Sequence, residues 1–261
     1  MQKLTDRSLI HITGVDAENL LQNIVTSDVR QLTPETPLQY GLILGPQGRV
    51  LFDFFLSIRG ENGYLLDCGT EHKDALIKRL SMYKLRAKVD ITPDSEGLHV
   101  YATQDGLPDP RSPATIGGRL YTADKLSATD DSSAYVDACV AQGVPLSSAI
   151  HTDKDYPADL NLDILGAINW AKGCFIGQET VARMHHKGRV KRRLFIISGK
   201  ALQVGMPIVN QNENEMGTVR MINTAGTQGL SVLKIDVLEP DARLYTAESV
   251  DVEVSKPAYL P

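Results

Sequence analysis

Leu38-Gln39-Tyr40-Gly41-Leu42-Ile43-Leu44, the turn Pro46-Gln47-Gly48, and Val50-Leu51-Phe52-Asp53-Phe54-Phe55-Leu56-Ser57-Ile58 are the stretch that sets the fold class. Both apolar runs have strand length, and the Pro and Gly between them predict a hairpin. Glu61-Asn62-Gly63 then turns the chain into a third strand from Tyr64 to Cys68. Toward the N-terminus, Leu9 to Thr13 alternates as a strand and Gly14 ends it. Asp16 is placed to cap a helix whose apolar residues Ala17, Leu20, Leu21, Ile24 and Val25 recur at helical spacing. Toward the C-terminus, a helix is predicted from Glu71 to Leu85, with Ala75, Leu76, Leu80 and Tyr83 on one face, and a returning strand from Ala87 to Ile91. Antiparallel strands backed by helices make this region α+β.

From Leu107 to Ser133 the composition predicts mostly loop, with Arg119-Leu120-Tyr121 able to pair as a short strand. Tyr135 to Gln142 reads as a helix stopped at Gly143, Pro145 to Gly166 as a long turn-rich approach, and Gly177 to Lys187 as a helix stopped at Gly188. Past Arg193 come short apolar runs at Leu194–Ile197, Pro207–Val209, Gly217–Ile222, Gly229–Ile235 and Ser249–Val254. Their spacing predicts a small all-β module, a barrel of about 70 residues.

The chain has 261 residues, 42% of them hydrophobic, which suits two or three modules. A net charge of −5 argues against a surface that binds nucleic acid or anionic membrane throughout, so any such binding must be local. Three cysteines without a Cys-x-x-Cys pair give neither a disulfide framework nor a complete metal cage. No apolar run has the length of a signal core or a membrane span. These features predict a soluble, cytoplasmic protein with reduced thiols and no membrane partner.

Cys174 lies in Lys172-Gly173-Cys174-Phe175-Ile176-Gly177-Gln178-Glu179, just before the last predicted helix. A lysine two residues away and the free N–H groups of a helix start would favour a thiolate, giving a nucleophile or a soft metal ligand. Cys68 and Cys139 sit in apolar runs and read as core. Strand alternation puts Leu51, Asp53, Phe55 and Ser57 on one face, where an ionised carboxylate needs a pocket or an arginine partner. Arg183, Lys187, Arg189, Lys191, Arg192 and Arg193 form a basic run that suits an anion or reads as a solvated face. Only Phe195 is an aromatic neighbour, so RNA stacking through 183–193 is weakly supported. His185 and His186 diverge by about 100° on a helix and do not bind one ion together from that face. Trp170 reads as a packing anchor rather than a stacking platform.

The cysteine octapeptide, with Ala182-Arg183 after it, resembles the signature of the YgfZ-like relatives of the glycine-cleavage T-protein (the GcvT superfamily). Gly48-Arg49-Val50-Leu51-Phe52-Asp53 resembles the strand whose aspartate meets the reactive end of tetrahydrofolate in the T-protein. Here Phe52-Asp53 stands where that protein commonly has two acids, which puts aminomethyl transfer in doubt. Gly14 to Val29 and Asp159-Leu160-Asn161-Leu162-Asp163 also resemble family blocks. Asn23, Thr26 and Asp28 could edge a pocket or serve as helix-end caps and turns.

The resemblance implies a ring-like GcvT fold around a central folate pocket, spanning 1–190, with subdomains of about 1–37 plus 97–190 and 38–96. A C-terminal β-barrel would span 191–261. It makes Asp53, Asn23, Asp28, Lys172, Glu179 and Arg183 the candidate folate contacts, and Cys174 and Asp53 the candidate reactive groups. It implies an iron–sulfur cluster assembly or maintenance factor. Cys174 would share a cluster with an A-type scaffold, and the clients would include tRNA-modifying enzymes. The alternative is a tetrahydrofolate-dependent aminomethyl or one-carbon transferase working through Asp53.

Overall fold

The protein is described by a computed structural model covering residues 1–111, 116–186, 188, 190–238, 243–246 and 250–261. Residues 112–115, Lys187, Arg189 and Ser249, which fall in expected segments, lie outside the described residues. The strands are β1 (Gln2–Lys3), β2 (Arg7–Thr13), β3 (Leu38–Leu44), β4 (Val50–Ile58), β5 (Gly63–Gly69), β6 (Asp90–Pro93), β7 (His99–Thr103), β8 (Leu107–Pro108) and β9 (Gly118–Thr122). Those of the last part are β10 (Arg192–Ser198), β11 (Pro207–Asn210), β12 (Glu215–Ile222), β13 (Gln228–Lys234), β14 (Leu244–Thr246) and β15 (Asp251–Ser255). The α-helices used below are α1 (Ala17–Ile24), α2 (Lys73–Lys84), α3 (Ser133–Gln142) and α4 (Gln178–His186).

The first sheet has the order β3-β4-β5-β2-β6 and a second has the order β1-β7-β9-β8. The hairpin of β3 and β4 is its central feature, because β4 is buried on both faces along all but its last residue. On one face Phe52, Phe54 and Leu56 pack with Ile10, Ile12 and the inner sides of α1 and α2, including Leu21, Leu76 and Leu80. On the other, Phe55 packs with Tyr40, Leu65 and residues of α3 and the cysteine approach.

The expected alternation along β4 is broken by a bulge, with Ile43 opposite Phe52 but Leu44 opposite Val50. The extra residue moves Leu51 into the core of Phe52 and Val50 into the core of Phe55. It also turns the Val50 backbone outward. The Val50 N–H donates to the Asp155 carbonyl, and the Asp153 N–H donates to Val50.

Other expectations need correction. Asp16 does not cap α1; its carboxylate accepts the Lys88 N–H instead and closes the end of the sheet. A boundary at 37/38 would cut the first sheet, since β2 pairs with both β5 and β6. Within the stretch from 107 to 133, the short strand allowed at Arg119-Leu120-Tyr121 is present as β9, and β8, expected as loop, pairs with it. The last part is a closed six-stranded barrel, β10-β13-β12-β11-β14-β15, with Ile197 opposite Val254 where β15 returns to β10. Its β14 has only three residues, too few to show a period. Leu194, Ile196, Leu230 and Val232 of the barrel share a core with α3 and the cysteine approach, so barrel and sheets pack together.

Between the two sheets lies a buried polar cluster. Asp67 on β5 accepts from Arg7 Nε at 2.6 Å, Arg119 Nη1 at 2.9 Å and the Tyr121 hydroxyl at 3.0 Å. Arg111 pairs with Asp109, whose carboxyl burial would raise but the guanidinium holds below the usual range. The Phe55 ring lies under three guanidiniums, with Arg119 Cζ at 3.7 Å and Arg111 Cζ at 4.8 Å from its centroid and Arg7 farther off. Removing one member of such a cluster strands buried charges. Asp67→Ala is expected to destabilise the protein by about 3–5 kcal/mol in chemical denaturation. Arg30→Ala, which breaks the exposed pair with Glu18, is expected to change it by less than about 1 kcal/mol.

Candidate functional site

The cysteine loop is fastened at both ends. Upstream, the exit of α1 holds it: Thr26 Oγ1 donates to the Ala167 carbonyl, and the Asn169 N–H donates to the Thr26 carbonyl. The Asn169 side chain accepts the N–H groups of Ala171 and Lys172 and turns the chain. Lys172 then points inward, and its Nζ donates to the carbonyls of Gln22, Val25 and Ser27 at 2.9, 2.6 and 2.9 Å. Burial pulls this ammonium down to about 8, against the opposing pull of Asp28.

Downstream, Gly177 has φ +81°, and a Cβ there would lie 2.5 Å from the Gly45 carbonyl in the β3–β4 turn. Gly48, on the other side of this contact, has φ +79°. Two glycines thus let the loop seat directly on the hairpin. Phe175 is buried as the anchor between them.

Between these fastenings Cys174 is exposed, whereas Cys68 and Cys139 are buried. Burial pushes the thiol of Cys68 up to about 12 and that of Cys139 up to about 11. The expected source of thiolate stabilisation is corrected by the geometry. The Lys172 ammonium is enclosed by carbonyls, and α4 begins at Gln178, four residues beyond the sulfur. Trp170 stacks on His185 with ring centroids 4.1 Å apart, closing the loop against α4.

Asp53 does not join this loop. Its carboxylate is only 3% exposed and accepts from the Tyr40 hydroxyl at 3.0 Å and Ser147 Oγ at 2.9 Å. Ser147 in turn accepts from Arg7, which links Asp53 to the buried cluster. Desolvation, with Asp53 alongside, raises the Tyr40 phenol far above its usual range, so it remains a donor. A cavity of about 520 Å³ opens at the far end of β4, lined by Ser57, Arg59, Leu107, Arg119 and Tyr121 among others. Asp53 is not on its wall, although Arg119 Nε is buried without an acceptor among the described residues. A folate whose reactive end meets Asp53 therefore does not fit this arrangement.

The remaining candidates are spread apart. Asn23 is exposed, and Asp28 accepts from Gln22 and from the Arg30 N–H at the turn after α1. Glu179 and Arg183 pair with each other on the surface of α4. Arg192 pairs with Asp159 and Arg193 with Asp163, so the expected basic run is largely neutralised where it is described. Sequence reading missed Asn169 and Ser147. An Asn ahead of a Lys-Gly turn was the available signal for the first, and Ser147 carries none.

The comparisons with known proteins bear on the fold and on the family resemblance. The domain family described as CAF17, C-terminal beta-barrel domain, matches residues 191–261. The mitochondrial iron–sulfur cluster assembly factor IBA57 of Mus musculus is 29% identical over 97% of this chain and 82% of its own length. The Homo sapiens protein of that name is 27% identical with the same coverage. The homolog of Mycosarcoma maydis is 31% identical over 76% of this chain and 57% of its own. Among solved structures, the glycine cleavage system aminomethyltransferase T from Bartonella henselae superposes with a TM-score of 0.73 at 12% identity, covering 99% of this chain and 85% of that one. The chain therefore has a GcvT-like α+β fold with a C-terminal barrel, and it is similar to iron–sulfur assembly factors. The expected cytoplasmic location is overturned by these relatives, whose names place all three in mitochondria.

Two outcomes follow from the loop geometry. Iodoacetamide near neutral pH is expected to add one label per native chain, at Cys174, and three after denaturation, read by mass spectrometry. Native labelling of Cys68 or Cys139 would contradict the packing. Lys172→Met leaves three buried carbonyls without their donor and should cost roughly 1–3 kcal/mol. Faster amide exchange in residues 22–28 and 167–177 would accompany it.

Proposed function

We propose that this protein is an iron–sulfur cluster assembly factor of the YgfZ-like kind. In this reading it lends Cys174 as one ligand to a cluster whose other ligands come from a partner. The observation that carries the reading is the contrast among the thiols: two are buried, and the exposed one sits on a loop fastened at Lys172 and Gly177. Among the described residues no group of three or more His, Cys, Asp or Glu is placed to hold a metal ion. A cluster commonly takes four protein ligands, so a single thiol acts at an interface. The similarity to proteins named as assembly factors supports the same reading.

The chemistry asked of the chain is small. The Cys174 thiol gives up its proton to solvent, and the sulfur forms a bond to an iron of the cluster, replacing a weaker ligand there. Lys172, Asn169 and Thr26 hold the loop so that this exchange needs little reorganisation. The partner we assign is an A-type scaffold, and the clients are iron–sulfur enzymes, tRNA-modifying ones included. The rival transferase reading needs Asp53 beside a substrate, and the sealed carboxylate gives it no support.

Anaerobic mixing of the protein with a cluster-loaded A-type scaffold, followed by absorption spectroscopy of the co-eluting species, tests the proposal. The wild type is expected to co-elute with the cluster chromophore and Cys174→Ala to lose it at unchanged Tm. A chromophore retained in full by the variant would sink the assignment of Cys174.

A further inference from the structure

Residues 78–88, Lys-Arg-Leu-Ser-Met-Tyr-Lys-Leu-Arg-Ala-Lys, carry five cations and no carboxylate in a chain of net charge −5. They form the last turns of α2 and the segment leading to β6. Among the described residues, Lys78, Arg79, Arg86 and Lys88 form no ion pair, while Lys84 lies 3.8 Å from the exposed Asp90. Asp16 also lies at this edge, its carboxylate accepting the Lys88 N–H. Glu71 precedes α2, and Asp74, one turn before Lys78, lies 3.8 Å from Lys73. Counting Asp16 and Asp90 against the five cations leaves a local excess of three positive charges.

The same edge exposes large apolar side chains. Met82 is 61% exposed, Leu85 87% and Val15 69%. Lys78 and Met82 are four apart on one stripe of α2, and Leu85 follows directly after the helix. Val15 follows Gly14, which closes onto the Lys88 backbone, where a Cβ would lie 2.2 Å from the Lys88 carbonyl oxygen. Leu85 ends α2 with φ +46° and ψ −106°, a backbone conformation that leucine disfavours. The fold thus holds the most exposed large apolar side chain among the described residues in a strained position at the tip of a basic edge, with no burial in return.

We infer that this edge docks on an anionic phospholipid surface. Met82, Leu85 and Val15 enter the headgroup region, and the surrounding lysines and arginines meet lipid phosphates. Charge complementarity selects an anionic surface, and the apolar tip selects a bilayer over a purely polar polyanion. Single-stranded nucleic acid would call for exposed aromatic platforms, and Tyr83 is half-buried. This docking is independent of the cluster-sharing role and of Cys174.

Co-sedimentation of the whole protein with vesicles tests it. One set is phosphatidylcholine alone, and the other is equal parts phosphatidylcholine and phosphatidylserine. The wild type is expected to sediment with the second set and to stay in solution with the first, with binding weakened by salt. Each of Lys78→Glu and Arg86→Glu should weaken binding at least roughly fivefold. Met82→Glu/Leu85→Glu should abolish it. Leu85→Gly relieves the positive φ, so it should raise Tm while reducing binding, which separates docking from misfolding. Failure to sediment with anionic vesicles overturns the inference. Binding that falls with the charge reversals but survives Met82→Glu/Leu85→Glu overturns it too, and marks the edge as a site for RNA or an acidic protein.

Discussion

A buried ammonium facing three backbone carbonyls is the constraint on which the functional part of this molecule depends. The carbonyls of Gln22, Val25 and Ser27 converge where α1 hands the chain over to β3. An unpaired carbonyl there would be costly, and Lys172 satisfies all three at once. The cysteine loop therefore belongs to the N-terminal sheet, although more than 140 residues separate Lys172 from Gln22 in sequence. The loop's other end rests on the hairpin turn through Gly177, and the bulge at Val50 engages the segment before it. Hairpin, α1 exit and cysteine loop form one packed unit with the sulfur on its outside.

The centre of the molecule follows a different logic. In this fold, shared with an aminomethyltransferase, Asp53 on β4 joins the buried polar cluster through Ser147 and Arg7. The space between the two sheets is filled by three arginines, three aspartates and their tyrosine and serine partners. Charges so enclosed are balanced and hydrogen-bonded, which makes them structural rather than reactive. The fold is shared in shape, while the thiol proposed to be reactive lies at an exposed edge of it. Shape similarity at 12% identity informs about the first and is silent on the second.

Much of this was legible from residues alone. The β3–β4 hairpin, α1, α3 and most barrel strands carry their own periodicity and turn chemistry, and their bounds differ from the expected ones by a few residues. The bulge was hidden because one extra residue leaves composition unchanged while reversing which side chains share a face. Lys172 was visible as a cation beside a cysteine. Its acceptors are backbone atoms, which no side-chain pattern reports, so its role read as electrostatic when it is architectural. Asp53 was read as needing a pocket or an arginine. That its partners are Tyr40 and Ser147, one on a neighbouring strand and one 94 residues on, is a tertiary fact. The basic run at 183–193 looked like an anion site because its carboxylate partners, Asp159 and Asp163, lie about thirty residues upstream.

The proposed role requires the Cys174 sulfur to be bound to iron in the assembled state. Timed alkylation of the anaerobic complex with its scaffold, read residue by residue, measures this directly. Cys174 should be shielded while the cluster is present and should recover its free-protein rate once a chelator strips the iron. Full-rate alkylation of Cys174 with the cluster chromophore intact would show that the loop presents its thiol for some other purpose.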